Sequence, residues 1–239
     1  MTIDESRIVH LEGAANFRDL GGLPTRGGGV VRRGRVFRSD VLFRLTDSDS
    51  IALSALGIRT VVDLRSRGEV EQYPASPLQA AGLRHFNVPI AADKPSATGS
   101  VIEDYLLLLR DAREGFREIF GHLAQDHYPL VMHCFAGKDR TGLTCALVLG
   151  ALDVPDEVIA ADYAFSEQHM ARLMHLHQRA DEVPATGVLP VWLSATSATM
   201  LATLHAISAE WGSVRGYLES IGVSAAELEQ IAETLVKRE

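Results

Sequence analysis

One stretch of this chain stands apart by the types and spacing of its residues: His133 to Gly142, reading HCFAGKDRTG. Cys134 is separated from Arg140 by five residues, and Thr141 follows at once. The chemistry this suits is anion capture. Backbone N–H groups of a short loop, here Phe135, Ala136, Gly137, Lys138, Asp139 and Arg140, can converge on one point as a nest. A helix starting behind the loop adds unpaired donors and partial positive charge. Arg140 at that helix start can fork two hydrogen bonds onto a tetrahedral oxyanion. The same field favours a thiolate at Cys134, the nucleophilic form of cysteine. A thiolate held beneath a bound phosphate can attack phosphorus.

Two other readings of the stretch are weaker. A nucleotide P-loop needs Ser or Thr after Gly-Lys, but Asp139 follows Lys138, and the earlier glycine falls on Met132. A structural strand–turn–helix with a buried cysteine explains the turn. It does not explain why Cys, Gly, Lys, Arg and Thr arrive together in this order.

The elements that must position these residues are legible around them. YPLVMH (128–133) reads as a strand, so His133 ends a strand and Cys134 opens a loop. Residues 141–152 are apolar all round, as in a helix buried on most sides. Upstream, IRTVVDL (58–64) and HFNVPI (85–90) read as two further strands, and 91–100 as a loop. Val30-Val31 and Arg35 to Arg38 read as two short strands of one hairpin. Thr46 and Asp49 have capping-box spacing, which predicts a helix over 47–56. Residues 101–125 carry apolar positions at helical spacing, predicted as two helices broken near Glu114-Gly115. The second half is predicted helical over 156–179, 197–210, 213–221 and 225–237, the last capped by Ser224 and Glu227. Strands alternating with helices predict an α/β fold with a largely parallel central sheet flanked by helices. No repeat or linker divides the 239 residues, which are expected to form one domain.

Composition narrows the partners. Lys+Arg total 23 against 31 Asp+Glu, a net charge of −8, which argues against nucleic acid or an anionic membrane as the main partner. Two cysteines exclude a disulfide framework. The N-terminus lacks a charged n-region and an apolar h-region, and no apolar stretch approaches the roughly 20 residues of a membrane span. The expectation is a cytoplasmic protein without an integral membrane segment; export without a signal peptide would leave no trace here.

HCFAGKDRTG resembles the signature loop of the cysteine-dependent phosphatases. With NFRDLGG (16–22), RSD (38–40) and DLRS (63–66) it resembles the bacterial tyrosine-protein phosphatase family, which includes a secreted mycobacterial tyrosine/lipid phosphatase. The resemblance runs from residue 16 to about 166 and weakens beyond. It implies a phosphotyrosine-phosphatase-like fold and activity on phosphotyrosine, often on phosphoserine or phosphothreonine, and in several members on phosphoinositides. The partners implied are a phosphorylated protein or phosphoinositide, with inorganic phosphate as product; no metal or organic cofactor is implied. By position, Cys134 matches the nucleophile, Arg140 the phosphate-binding arginine, and Phe135 to Arg140 the cradle. Thr141 matches a hydroxyl that stabilises the departing thiolate, and Lys138 either matches a loop charge suited to a second phosphate or is an exposed loop lysine. Helices within 166–210 either form a lid over the cradle, as the resemblance suggests, or are ordinary core.

Cleavage also needs a proton donor for the leaving oxygen. Asp139 is favoured, as it sits inside the loop beside Arg140; Asp63, at a strand end, and Asp93, in a loop, are the alternatives. Arg65 either contacts substrate or holds Asp63. Arg18 and Asp19 either buttress the cradle or pair with each other. Six arginines between 26 and 44 either steer anions or form a solvated face. Cys145 reads as a buried small hydrophobe, and His169, His175, His177 and His205 lack metal-ligand spacing. The competing functions are a non-catalytic phosphate-binding module and a thiol redox or sulfur-transfer enzyme. The first has no need of Cys134, and the second has no need of Asp139 beside Arg140.

Overall fold

The computed structural model of the chain describes residues 4–74, 82–91, 99–125, 127–176 and 193–238. The strands are β1 (Arg18–Asp19), β2 (Val30–Val31), β3 (Val36–Ser39), β4 (Thr60–Asp63), β5 (Arg84–Asn87), β6 (Leu130–His133) and β7 (Val236–Lys237). Five of them form a sheet in the order β1-β3-β6-β4-β5, parallel except for β1 against β3. Strands β3, β4 and β6 are buried throughout, as a sheet covered on both faces requires. Their alternation divides the core. Val36, Val62 and Met132 face the main cluster, while Phe37, Val61 and Val131 face a second one with Phe17, Leu42, Leu53 and Ile58.

The helices are α1 (Asp47–Ala55), α2 (Arg67–Gln72), α3 (Val101–Asp111), α4 (Arg113–Ala124), α5 (Asp139–Ala151), α6 (Asp156–Ala164), α7 (Met170–Leu176), α8 (Ser197–Trp211), α9 (Val214–Ser220) and α10 (Ala225–Leu235). Capping boxes start α1 at Thr46 and Asp49, and α10 at Ser224 and Glu227, as their spacing predicts. A third, Ser66 with Glu69, starts α2. Helix α5 is buried from Thr141 to Leu149, the central helix its apolar sequence predicts. No helix among the described residues is long and apolar enough to cross a membrane.

Four local expectations need correction. Val30-Val31 and the strand at 36–39 do not form a hairpin: β2 pairs with β7, and the antiparallel partner of β3 is β1. Local alternation marks a strand but not its partner. The break between α3 and α4 falls at Ala112, and Gly115 lies inside α4. A Cβ on Gly115 would meet Ile90 Cδ1 at 2.8 Å, so that glycine serves close packing and not helix termination. The predicted helix over 156–179 is α6, a 3-10 turn Phe165–His169 and α7, with the remainder outside the described residues. The C-terminal helix stops at Leu235, because Val236-Lys237 leave it to pair with β2.

Candidate active site

The sequence places His133 at the end of β6 and Asp139 at the start of α5, and the five residues between them, Cys134 to Lys138, form the loop. Cys134 is 2% exposed. The loop carbonyls are turned outward. Phe135 O accepts from Val41 N (3.0 Å), Ala136 O from Asn16 Nδ2 (3.4 Å), and Gly137 O from Asn16 Nδ2 (3.2 Å) and Arg38 Nη2 (2.8 Å). A planar trans peptide with its C=O outward carries its N–H inward. The N–H groups of Ala136, Gly137 and Lys138 therefore converge on the concave side. Gly137 is at φ +65°, and a Cβ there would lie 2.6 Å from Asp40 N and Ser39 O, so only glycine fits.

Behind the loop is a buried polar framework built from NFRDLGG and RSD. The Asp40 carboxylate accepts from Ala15 N (3.0 Å) and Asn16 N (2.8 Å). Burial raises its pKa to about 6 despite those hydrogen bonds. Arg18 donates to Asn16 Oδ1 and pairs with Asp162, so it buttresses the loop. It does not pair with Asp19, whose carboxylate accepts from Gly21 N and Gly34 N, both at 2.7 Å. Arg7, Arg18 and Arg38 surround Asp162, at 2.5, 3.2 and 2.7 Å. Burial opposes the Asp162 charge, but the three guanidiniums hold its carboxyl far below the usual range. No motif in the sequence pointed to Arg7 or Asp162.

Arg140 forks onto Glu69, with Nη1 2.6 Å from Oε2 and Nη2 2.8 Å from Oε1. Glu69 Oε2 also accepts from Ser66 N at 2.9 Å. Burial would raise the Glu69 pKa, but Arg140 and Ser66 bring it down to about 2. The Ser66–Glu69 spacing marks a helix start in the sequence, yet nothing there ties Glu69 to Arg140. The Asp139 side chain is 40% exposed at the loop mouth. Its Oδ1 accepts from Tyr105 Oη at 2.7 Å and lies 3.2 Å from Lys138 Nζ. Lys138 is 2% exposed and donates to Ser194 O at 3.1 Å, so it is no exposed loop lysine. Thr141 Oγ1 is buried and makes no hydrogen bond among the described residues.

Asp63, Arg65 and His133 form a second cluster, with Asp63 on β4 in register with His133 on β6. Arg65 is fully buried and grips Asp63 with Nε 2.9 Å from Oδ1 and Nη2 2.6 Å from Oδ2. Of the two roles read for Arg65, the structure displays the grip on Asp63. Burial works against the Asp63 charge, but His133, His85 and Arg65 hold its carboxyl well below the usual range. His133 Nδ1 lies 3.0 Å from Cys134 O. A carbonyl only accepts, so the proton sits on Nδ1. Burial lowers the His133 pKa. Asp63, His85 and His133 bring three ligand atoms within 4.8 Å of one another, a spacing that suits a metal ion. The Arg65 guanidinium on the same carboxylate disfavours a second cation there.

Phe43, Tyr73 and Phe135 form an aromatic row beside the loop, with ring centroids 5.0 and 5.5 Å apart. Met170, Leu173 and Met174 pack with Ala15 and Leu193 against Ala136 of the loop, whereas Met200 and Leu204 belong to the main core. Cys145 is buried, and burial raises its pKa to about 11, as suits an inert small hydrophobe. Among the arginines of 26–44, Arg26 pairs with Asp153 and Asp156, Arg33 with Asp4, and Arg38 with Asp162. Asp93, His177 and the middle of the proposed lid lie outside the described residues.

Comparison with known proteins bears on this geometry. Residues 9–237 match the model of the tyrosine phosphatase family. A Cupriavidus necator protein, named as a candidate tyrosine-protein phosphatase, is 35% identical over 90% of this chain and 84% of its own. The triple specificity protein phosphatase PtpB of Mycobacterium tuberculosis is 30% identical over 96% of this chain and 99% of its own. Among solved structures, the core catalytic domain of the PP-IP phosphatase SIW14 from S. cerevisiae has a slight likeness. It is 14% identical and covers 55% of this chain and 70% of that one, at a TM-score of 0.38. The match over nearly the whole sequence, on a fold that presents Cys134 from the loop and Arg140 from the first turn of α5, leads to one conclusion: this chain belongs to the tyrosine phosphatase family.

Proposed function

We propose that this phosphatase hydrolyses phosphotyrosine monoesters through a phosphocysteine on Cys134. The observation that carries the reading is the loop whose Phe135, Ala136 and Gly137 carbonyls are tied outward, which turns the N–H groups of Ala136, Gly137 and Lys138 to its concave side. A phosphate seated there is held by loop N–H groups and Arg140. Glu69 takes one N–H from each terminal amino group of Arg140, which leaves three of its five N–H groups for phosphate oxygens.

In the first step Cys134 Sγ attacks phosphorus and the bond to the leaving oxygen breaks. That oxygen takes a proton from Asp139. In the second step water attacks the phosphocysteine and gives a proton to the Asp139 carboxylate. The S–P bond breaks, inorganic phosphate forms, and sulfur leaves as a thiolate. The buried Thr141 hydroxyl, without another partner among the described residues, is available to donate to that sulfur. Asp139 suits the acid role because it is partly exposed at the loop mouth, whereas Asp63 is sealed under Arg65 and held ionised.

The Phe43–Tyr73–Phe135 row favours an aryl leaving group, since rings stack on rings. Lys138 is already engaged with Ser194 O and Asp139, which favours one phosphate over two. The test is phosphate release from a phosphotyrosine peptide, a phosphothreonine peptide and a monophosphorylated phosphoinositide, with Cys134→Ser as control. The expected ranking puts phosphotyrosine first and the control inactive. Phosphoinositide first would replace the substrate assignment, and an active control would end the phosphocysteine reading.

A further inference from the structure

Asp139 does not hang freely at the loop mouth. Its Oδ1 is held by the Tyr105 hydroxyl at 2.7 Å, with the Lys138 ammonium 3.2 Å from the same oxygen. Tyr105 is 2% exposed, and its hydroxyl lies 2.8 Å from that of Tyr163, which is 1% exposed. The two rings meet edge to face, 6.3 Å between centroids at 82°. Tyr105 comes from α3, Tyr163 from α6 and Asp139 from the first turn of α5, so three separate helices meet at one carboxylate. Gly142, one turn after Asp139, completes the arrangement: a Cβ there would lie 2.8 Å from the Tyr163 ring.

We infer that Tyr105, backed by Tyr163, is a positioning residue for proton transfer, fixing Asp139 Oδ1 so that Oδ2 carries the proton to the leaving oxygen. This rests on the reading of Asp139 as general acid. A carboxylic acid has one proton and two oxygens. A hydroxyl and an ammonium aimed at Oδ1 both donate, so a proton on Oδ1 would face two other donors, and Oδ2 is its only favourable seat. A donor that stays protonated is needed for this. Burial, then the neighbouring Asp139 and Tyr163, raise the Tyr105 pKa well above its ordinary value, so the hydroxyl remains a donor through the working pH range. When Asp139 turns base for the second step, the Tyr105 hydrogen bond persists on Oδ1 and Oδ2 again faces the water.

The arrangement also orients the side chain. Without the Tyr105 hydroxyl, Lys138 is, among the described residues, what restrains Asp139 χ rotation on that side. Small losses of alignment between a proton donor and its acceptor cost rate steeply, up to about 100-fold for a displacement near 1 Å.

The experiment is kcat/KM for phenyl phosphate and para-nitrophenyl phosphate in wild type, Asp139→Asn, Tyr105→Phe, Tyr163→Phe and the Asp139→Asn/Tyr105→Phe pair. Phenol is the poorer leaving group and needs the proton more. Asp139→Asn is expected to lower the phenyl value by about 100-fold or more and the para-nitrophenyl value far less. Tyr105→Phe is expected to show the same selectivity at about 10-fold, Tyr163→Phe a weaker form, and the pair no more than Asp139→Asn alone. Inhibition by inorganic phosphate, which reads the loop itself, is expected to be unchanged in Tyr105→Phe. Equal losses on both substrates, additive losses in the pair, or an unaffected Tyr105→Phe would overturn the inference while leaving the acid assignment intact. A leaving-group-independent Asp139→Asn would instead remove the acid assignment and the inference with it.

Discussion

Gly137 is where single-residue chemistry is least negotiable. A Cβ at φ +65°, 2.6 Å from the Ser39 and Asp40 backbone, forces either the loop or β3 to shift. Gly137→Ala is expected to cost about 1–3 kcal/mol in stability and to weaken inhibition by inorganic phosphate, read by urea unfolding and by steady-state kinetics. Asp40 makes a pH prediction. Its folded pKa, about 6, lies above the unfolded carboxylate value, so the folded state binds the extra proton. Its contribution is therefore complete below about pH 4 and is lost as pH rises through 6. Relative to wild type, Asp40→Asn is expected to gain stability between those limits in denaturant titrations; a constant difference across them would refute the shift. The sequence made Cys134, Arg140 and Gly137 legible because an anion cradle needs those residue types at that spacing. It hid Tyr105, Tyr163 and Asp162, whose roles arise only from helices far apart in the chain.

Between elements, the bond that matters most is Arg140 on α5 to Glu69 on α2. The side chains are 20% and 29% exposed, and the pair is a two-point fork. Glu69 has its pKa lowered to about 2, so the fork is intact above the unfolded glutamate value and is lost as pH falls toward 2. Glu69→Gln is expected to leave Arg140 less well oriented, raising the phosphate inhibition constant about 10-fold with a stability loss near 1 kcal/mol. Tighter phosphate binding in that variant would mean that Glu69 competes with substrate instead of orienting the arginine. Elements themselves were legible where a local signal sufficed: the capping boxes of α1 and α10, the apolar run of α5, the β-branched run of β4. They were misread where a partner decided the outcome. β2 reads locally as half of a hairpin although β7 is its partner, and Gly115 reads as a helix breaker because the close approach of Ile90 is invisible in one dimension.

At the scale of the whole molecule, one buried acid binds the N-terminal segment, the sheet and the helical half together. Asp162 on α6 receives Arg7, Arg18 and Arg38, and Arg38 also holds Gly137 O. Removing it leaves three guanidiniums buried without their counter-charge. Asp162→Asn is expected to destabilise the fold by about 3–5 kcal/mol in urea unfolding and to lower activity with it. The α/β class and the parallel sheet followed from the order of strands and helices. The ion cluster did not, since its members lie up to 155 positions apart. The proposed chemistry requires that Cys134 carry the phosphoryl group during turnover. It is tested most directly by acid-quenching the enzyme in the first turnovers with para-nitrophenyl phosphate and mapping the modified peptide by mass spectrometry. One phosphoryl group is expected on the peptide bearing Cys134, absent from Cys134→Ser. A phosphoryl group on another residue, or full turnover by Cys134→Ser, would contradict it.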